Sequence, residues 1–141
     1  MNHEFERFVS RTTEALEKDS RFVGLAISGS WASNEIDEFS DLDLVLCCAN
    51  DEVPDLTGMR EVAASLGALL CSFSGEHVGE PTLLICLFDE GRTIHVDLKF
   101  ESLENLRNRP YDPVVVWERG SVLSDLLASS DIAASALGNP V

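Results

Sequence analysis

The stretch "DLDLVLCC" constrains this chain more than any other. Strand residues alternate between two faces, so Leu42, Leu44 and Leu46 share one side of a strand while Asp41 and Asp43 share the other. The leucines demand a core. The aspartates are disfavoured in strands, and two carboxylates on one face repel each other. A divalent cation between them would relieve that repulsion. Mg²⁺ suits such a place, because it takes a few carboxylate oxygens and keeps positions for water and phosphate.

A second stretch repeats the pattern. In "TIHVDLKF" (93–100) the apolar side is Ile94, Val96, Leu98 and Phe100, and the polar side is His95, Asp97 and Lys99. Asp97 is thus a mid-strand carboxylate like Asp41 and Asp43, and the three acids meet if the two strands are neighbours. Lys99 lies on the Asp97 side, as a phosphate contact or an ordinary exposed lysine. His95 reads as a proton carrier or, more simply, as a solvated strand histidine. Upstream, "RFVGLAIS" (21–28) is an apolar run ending at Gly29-Ser30. A glycine there lets backbone approach a ligand, and the following N–H groups and the Ser30 hydroxyl can hold a phosphate.

The remaining elements follow from periodicity and turn chemistry. Phe5, Phe8, Val9, Thr12 and Leu16 recur at helical spacing, predicting an amphipathic helix over 3–18. "WASN" reads as a helical turn and "EIDEFS" as a polar loop. A helix capped by Asp55 or Thr57 should run to Leu66 and close at Gly67. "ALLCSFS" (68–74) is a strand, "GEHVGEP" a loop, and "TLLICLF" (82–88) pairs with 93–100 across "DEGR". "SLENLRN" is a short helix, "PVVVWE" a strand or extended segment with Val114–Val116 and Trp117 in the core, and 121–136 a last helix before a frayed tail, 137–141. The hairpin makes the sheet mixed, which excludes a doubly wound Rossmann fold. The expected architecture is a single α+β domain over 1–141, a mixed sheet of about five strands flanked by helices.

Strand, Gly-Ser, ten residues, Asp-x-Asp and a third strand Asp together resemble the DNA polymerase β-type nucleotidyltransferase superfamily. The spacing is that of its minimal members and of aminoglycoside nucleotidyltransferase domains. Residues 22–100 carry the match. The resemblance implies the nucleotidyltransferase fold, with Asp41, Asp43 and Asp97 binding two Mg²⁺ ions as the catalytic acids. It also implies that Gly29 and Ser30, with Lys99 beside them, hold a nucleoside triphosphate, ATP by expectation. The implied reaction is attack of an acceptor hydroxyl on the α-phosphate with release of pyrophosphate. Where many minimal members carry Ala-Arg-Gly after the turn, this chain has Trp31-Ala32-Ser33-Asn34.

The net charge of −15 makes a poor partner for nucleic acid and a better one for a small cationic acceptor or a basic protein. Only about 40 residues follow Asp97, so the acceptor wall is expected from another chain, a second copy or a helical partner protein. Val122, Leu123, Leu126 and Leu127 are the expected docking surface, to the extent that the chain's own core leaves them exposed. An antitoxin-like role beside a helical HEPN-type toxin is the alternative function. No run of about 20 apolar residues is present, and the N-terminal stretch carries acids, so the expected location is the cytoplasm, away from membranes. Cys47, Cys48, Cys71 and Cys86 have no ligand spacing and read as reduced core thiols.

Overall fold

Alternation and helical periodicity decide the layers. The computed structural model describes residues 3–28, 41–108 and 113–129. In chain order these form α1 (His3–Glu17), β1 (Phe22–Ser28), β2 (Leu42–Cys48), α2 (Leu56–Leu66) and β3 (Ala68–Gly75). They continue with a 3₁₀ turn (Glu76–Val78), β4 (Glu80–Asp89), β5 (Thr93–Ser102), α3 (Leu103–Leu106), β6 (Val114–Glu118) and α4 (Val122–Ser129). The six strands form one mixed sheet in the order β3-β4-β5-β2-β1-β6. The β2–β5 pair is parallel and the others are antiparallel.

The first face of the sheet is sealed. Phe5, Phe8, Val9 and Leu16 of α1 and Met59, Val62, Ala63 and Leu66 of α2 pack onto the inward residues of β1, β2, β4 and β5. Leu42, Leu44 and Leu46, with Ile94, Val96, Leu98 and Phe100, are buried there, as the alternation requires. Phe8 packs against Phe88 with the rings tilted by 57° and their centroids 4.6 Å apart. Arg11 of α1 ties this layer to the β4–β5 turn: it pairs with the Glu90 carboxylate and donates to the Leu66 carbonyl.

The second face is only half covered. Leu106 of α3 and Leu123 and Leu126 of α4 bury Ala26, Val45 and Cys47 over the β1–β2 side. The close approach of α4 depends on Gly24, where a Cβ would sit 2.7 Å from a Leu123 methyl. Leu123 and Leu126 are therefore core residues, unlike the docking surface expected from sequence, and of that set Val122 is the exposed one. Over β4 and β5 the same face carries the polar row of β5.

Several boundaries differ from expectation for identifiable reasons. The sheet has six strands rather than about five, because "VVVWE" pairs with β1 as an edge. Being an edge, it leaves Val114 51% exposed rather than in the core. Asp55 is the cap of α2, its carboxylate accepting from the Gly58 N–H at 2.8 Å. Gly67 ends that helix in extended backbone, where a side chain would crowd Arg11 and Glu90, rather than as a left-handed cap. The part of the last helix beyond Ser129 and the tail 137–141 lie outside the described residues, as do "WASN" and "EIDEFS". Cys47, Cys48 and Cys86 are buried free thiols, and burial pushes each up to about 12. Among the described residues no helix is long and apolar enough to cross a membrane.

Candidate functional site

The parallel pairing of β2 with β5 builds the site. Its register sets Leu42 against Val96, Asp43 against Asp97 and Leu44 against Leu98. Residues in register on adjacent strands point to the same face, so Asp43 and Asp97 stand side by side on the half-open face. One step earlier, Asp41 precedes β2 as His95 precedes Asp97 by two. The result is a block of four side chains, Asp41 and Asp43 from one strand, His95 and Asp97 from the other.

Distances within the block are short. His95 Nδ1 lies 3.1 Å from Asp41 Oδ1, and His95 Nε2 lies 3.0 Å from Asp97 Oδ1. One ligand atom each from Asp41, His95 and Asp97 falls within 4.8 Å of the others, close enough for one metal ion. His95 Nε2 and Asp97 Oδ1 are sealed from solvent, and neither makes a hydrogen bond among the described residues.

Asp43 bears the electrostatic cost. Its pKa is raised to about 6, first by burial, then by the negative charge of Asp97, a hydrogen bond with Asp97, and the charge of Asp41. His95 acts in the opposite direction and does not cancel these effects. The carboxyls hold more negative charge than the surrounding protein compensates.

A cavity of about 180 Å³ opens beside them, lined by Ser28, Asp43, Leu44, Glu80, Leu83, Asp97 and Lys99. Lys99 sits at its edge with Nζ 3.1 Å from Glu80. Ser28, opposite Asp43 in register, is the last described residue of β1. Gly29 and Ser30 follow it and lie outside the described residues. A larger hollow of about 240 Å³ lies between α1 and α2, but its arginine, Arg21, is already engaged by Asp19 at 2.7 Å.

Asp41, Asp43, Asp97 and Lys99 therefore converge on one side of the sheet. His95, weighed from sequence as a proton carrier or a solvated strand histidine, stands between two of these acids. The signal was present: His95 relates to Asp97 as Asp41 relates to Asp43, two residues back on the same face. Only the parallel register turns that spacing into contact.

A scan of the sequence against protein-family models finds no match. A search among curated proteins likewise finds no similar sequence.

Proposed function

We propose that this chain is a divalent-cation-dependent nucleotidyltransferase. It transfers a nucleoside monophosphate, AMP from ATP, to a hydroxyl and releases pyrophosphate. The observation that carries this reading is the side-by-side placement of Asp43 and Asp97 at a cavity, with Asp43 raised to about 6 by burial and then by the Asp97 charge.

The donor set fits a cation. Three carboxylates supply hard oxygens, and Asp97 Oδ1 is buried without a hydrogen bond among the described residues. Asp41, Asp43 and Asp97 would hold Mg²⁺. When bound, the ion neutralises charge on phosphate oxygens at the reacting phosphorus. Lys99, at the cavity edge, supplies a further positive charge toward the triphosphate, exchanging Glu80 for phosphate oxygen. The acceptor hydroxyl gives its proton to Asp97 as its oxygen bonds to the α-phosphorus. The bond from that phosphorus to the bridging oxygen breaks, and pyrophosphate leaves. The net charge of −15 favours a cationic acceptor, by raising its local concentration near the acids.

The test is label transfer. The protein is incubated with Mg²⁺, α-labelled nucleoside triphosphates and a panel of aminated sugars, other small alcohols and basic proteins. Transfer that disappears in Asp43→Asn and Asp97→Asn supports the reading. Failure of every pairing, together with no triphosphate binding, overturns it.

A further inference from the structure

We infer that His95 is itself a metal ligand, and that its imidazole makes this site select a first-row transition ion such as Mn²⁺ over Mg²⁺. The inference rests on the cation-dependent reading above and deepens it, since three carboxylates alone would not require nitrogen chemistry.

The argument begins with the two ring nitrogens. Nδ1 faces Asp41 Oδ1 at 3.1 Å, and Nε2 faces Asp97 Oδ1 at 3.0 Å. If Nδ1 carries the proton, Asp41 accepts it, and Nε2 presents a lone pair. That lone pair then confronts an oxygen lone pair of Asp97. Both atoms are sealed from water and neither has a hydrogen bond among the described residues. Two lone pairs this close repel unless a cation shares them. Donor atoms 3.0 Å apart have the separation of neighbouring ligands on an octahedral ion with bonds of about 2.1 Å. Asp41 Oδ1, 3.1 Å from Nδ1, would hold the proton on that nitrogen and leave the second Asp41 oxygen for the ion.

Selectivity follows from the donor type. Mg²⁺ is hard, prefers oxygen and dehydrates reluctantly. Transition ions accept imidazole nitrogen readily. An imidazole inside the ligand set therefore favours Mn²⁺, while the carboxylates of Asp41 and Asp97, whose ligand atoms gather with His95, keep the site open to either ion.

Pulsed electron paramagnetic resonance of Mn²⁺ bound to the full chain tests this directly. The expected spectrum carries imidazole-nitrogen hyperfine coupling, absent in His95→Ala. Calorimetry should show Mn²⁺ binding weakened about tenfold or more in His95→Ala, with Mg²⁺ binding little changed. His95→Gln, which keeps a polar side chain, gives a second variant if His95→Ala does not fold, and the wild-type spectrum needs no variant. Mn²⁺ bound without nitrogen coupling overturns the inference and leaves the carboxylate site standing. So does Mn²⁺ displaced by an equal concentration of Mg²⁺. No binding of either ion to wild type overturns both the inference and the cation-dependent reading.

Discussion

Asp43→Asn should stabilise the metal-free protein, and the gain should depend on pH in a specified direction. The carboxyl of Asp43 titrates near 6 in the folded chain, against 3.8 for an unperturbed aspartate. A folded pKa above the unfolded one means the folded state binds the proton more tightly. The charged form is then the destabilising one. Between pH 4 and 6 the native state carries more protons than the unfolded chain, so stability falls as pH rises through that window and stays reduced above it. A shift of about two units corresponds to about 3 kcal/mol at 1.36 kcal/mol per unit. Partial solvent access at the cavity reduces this to roughly 2 kcal/mol.

Asparagine has nearly the shape of aspartate and no charge. It removes the cost at neutral pH and changes little near pH 4, where Asp43 is already protonated. For a chain of this length each kcal/mol moves the melting midpoint by about 3 °C, so the variant should melt roughly 6 °C higher at pH 7.5 and within about 1 °C of wild type at pH 4. Differential scanning calorimetry in a chelator, at both pH values, makes the measurement. A destabilised variant at pH 7.5 would refute the reasoning and mark Asp43 as a structural acid. A gain of equal size at both pH values would show that burial and the Asp97 charge do not act on Asp43 as described.

Other substitutions read the scaffold that holds the site. Gly75→Ala should cost about 1–3 kcal/mol, because a Cβ there would lie 2.6 Å from the Glu80 carbonyl oxygen and force the backbone entering β4 to move; an unchanged urea midpoint would contradict this. Arg11→Ala should cost about 2 kcal/mol, less than the roughly 3–5 kcal/mol for a fully sealed pair, since Arg11 is 39% exposed while Glu90 is only 5% exposed. A double-mutant cycle with Glu90→Gln checks it, and additive losses would show no coupling. Arg119 donates to the carbonyls of Leu16, Glu17, Asp19 and Phe22, joining α1 to the ends of β1 and β6. Arg119→Lys keeps the charge without the planar fork, and should lose about 1–2 kcal/mol in chemical denaturation; full stability would show the fork to be dispensable.

What the sequence revealed divides along the range of the interaction. Alternation in β2 and β5 is local, so which face each of Leu42, Asp43, Val96 and Asp97 occupies was readable residue by residue. The cap at Asp55 is equally local, a side chain meeting an N–H three residues on. The β4–β5 hairpin was readable because its turn residues lie between two apolar runs. The pairing of β2 with β5 was not, because about 50 residues separate them and nothing in either strand encodes the partner's register. The neighbourhood of His95 was hidden for that reason: on its own strand the carboxylate two residues away is Asp97, and Asp41 arrives from β2. The burial of Leu123 and Leu126 escaped for a related reason. Their apolar stripe says that something covers them, and only the position of α4 over Gly24 says that it is the chain's own sheet.

The asymmetry between the two faces explains how acids so close together are tolerated. On the first face, α1 and α2 bury apolar side chains from four strands, and this contributes most of the cohesion. On the second, α3 and α4 cover only the β1–β2 side. The acids stand where that cover stops, on strands whose opposite face is already sealed. Their repulsion therefore acts on a backbone held in place from behind, by Leu42 and Leu44 beneath Asp43 and by Val96 and Leu98 beneath Asp97. A loop would respond to such repulsion by moving the carboxylates apart. Strands pinned in parallel register do not, so at Asp43 the Asp97 and Asp41 charges add to burial in raising the pKa. Under the cation-dependent reading proposed above, that repulsion is what a bound ion would relieve, on carboxylates already held in place.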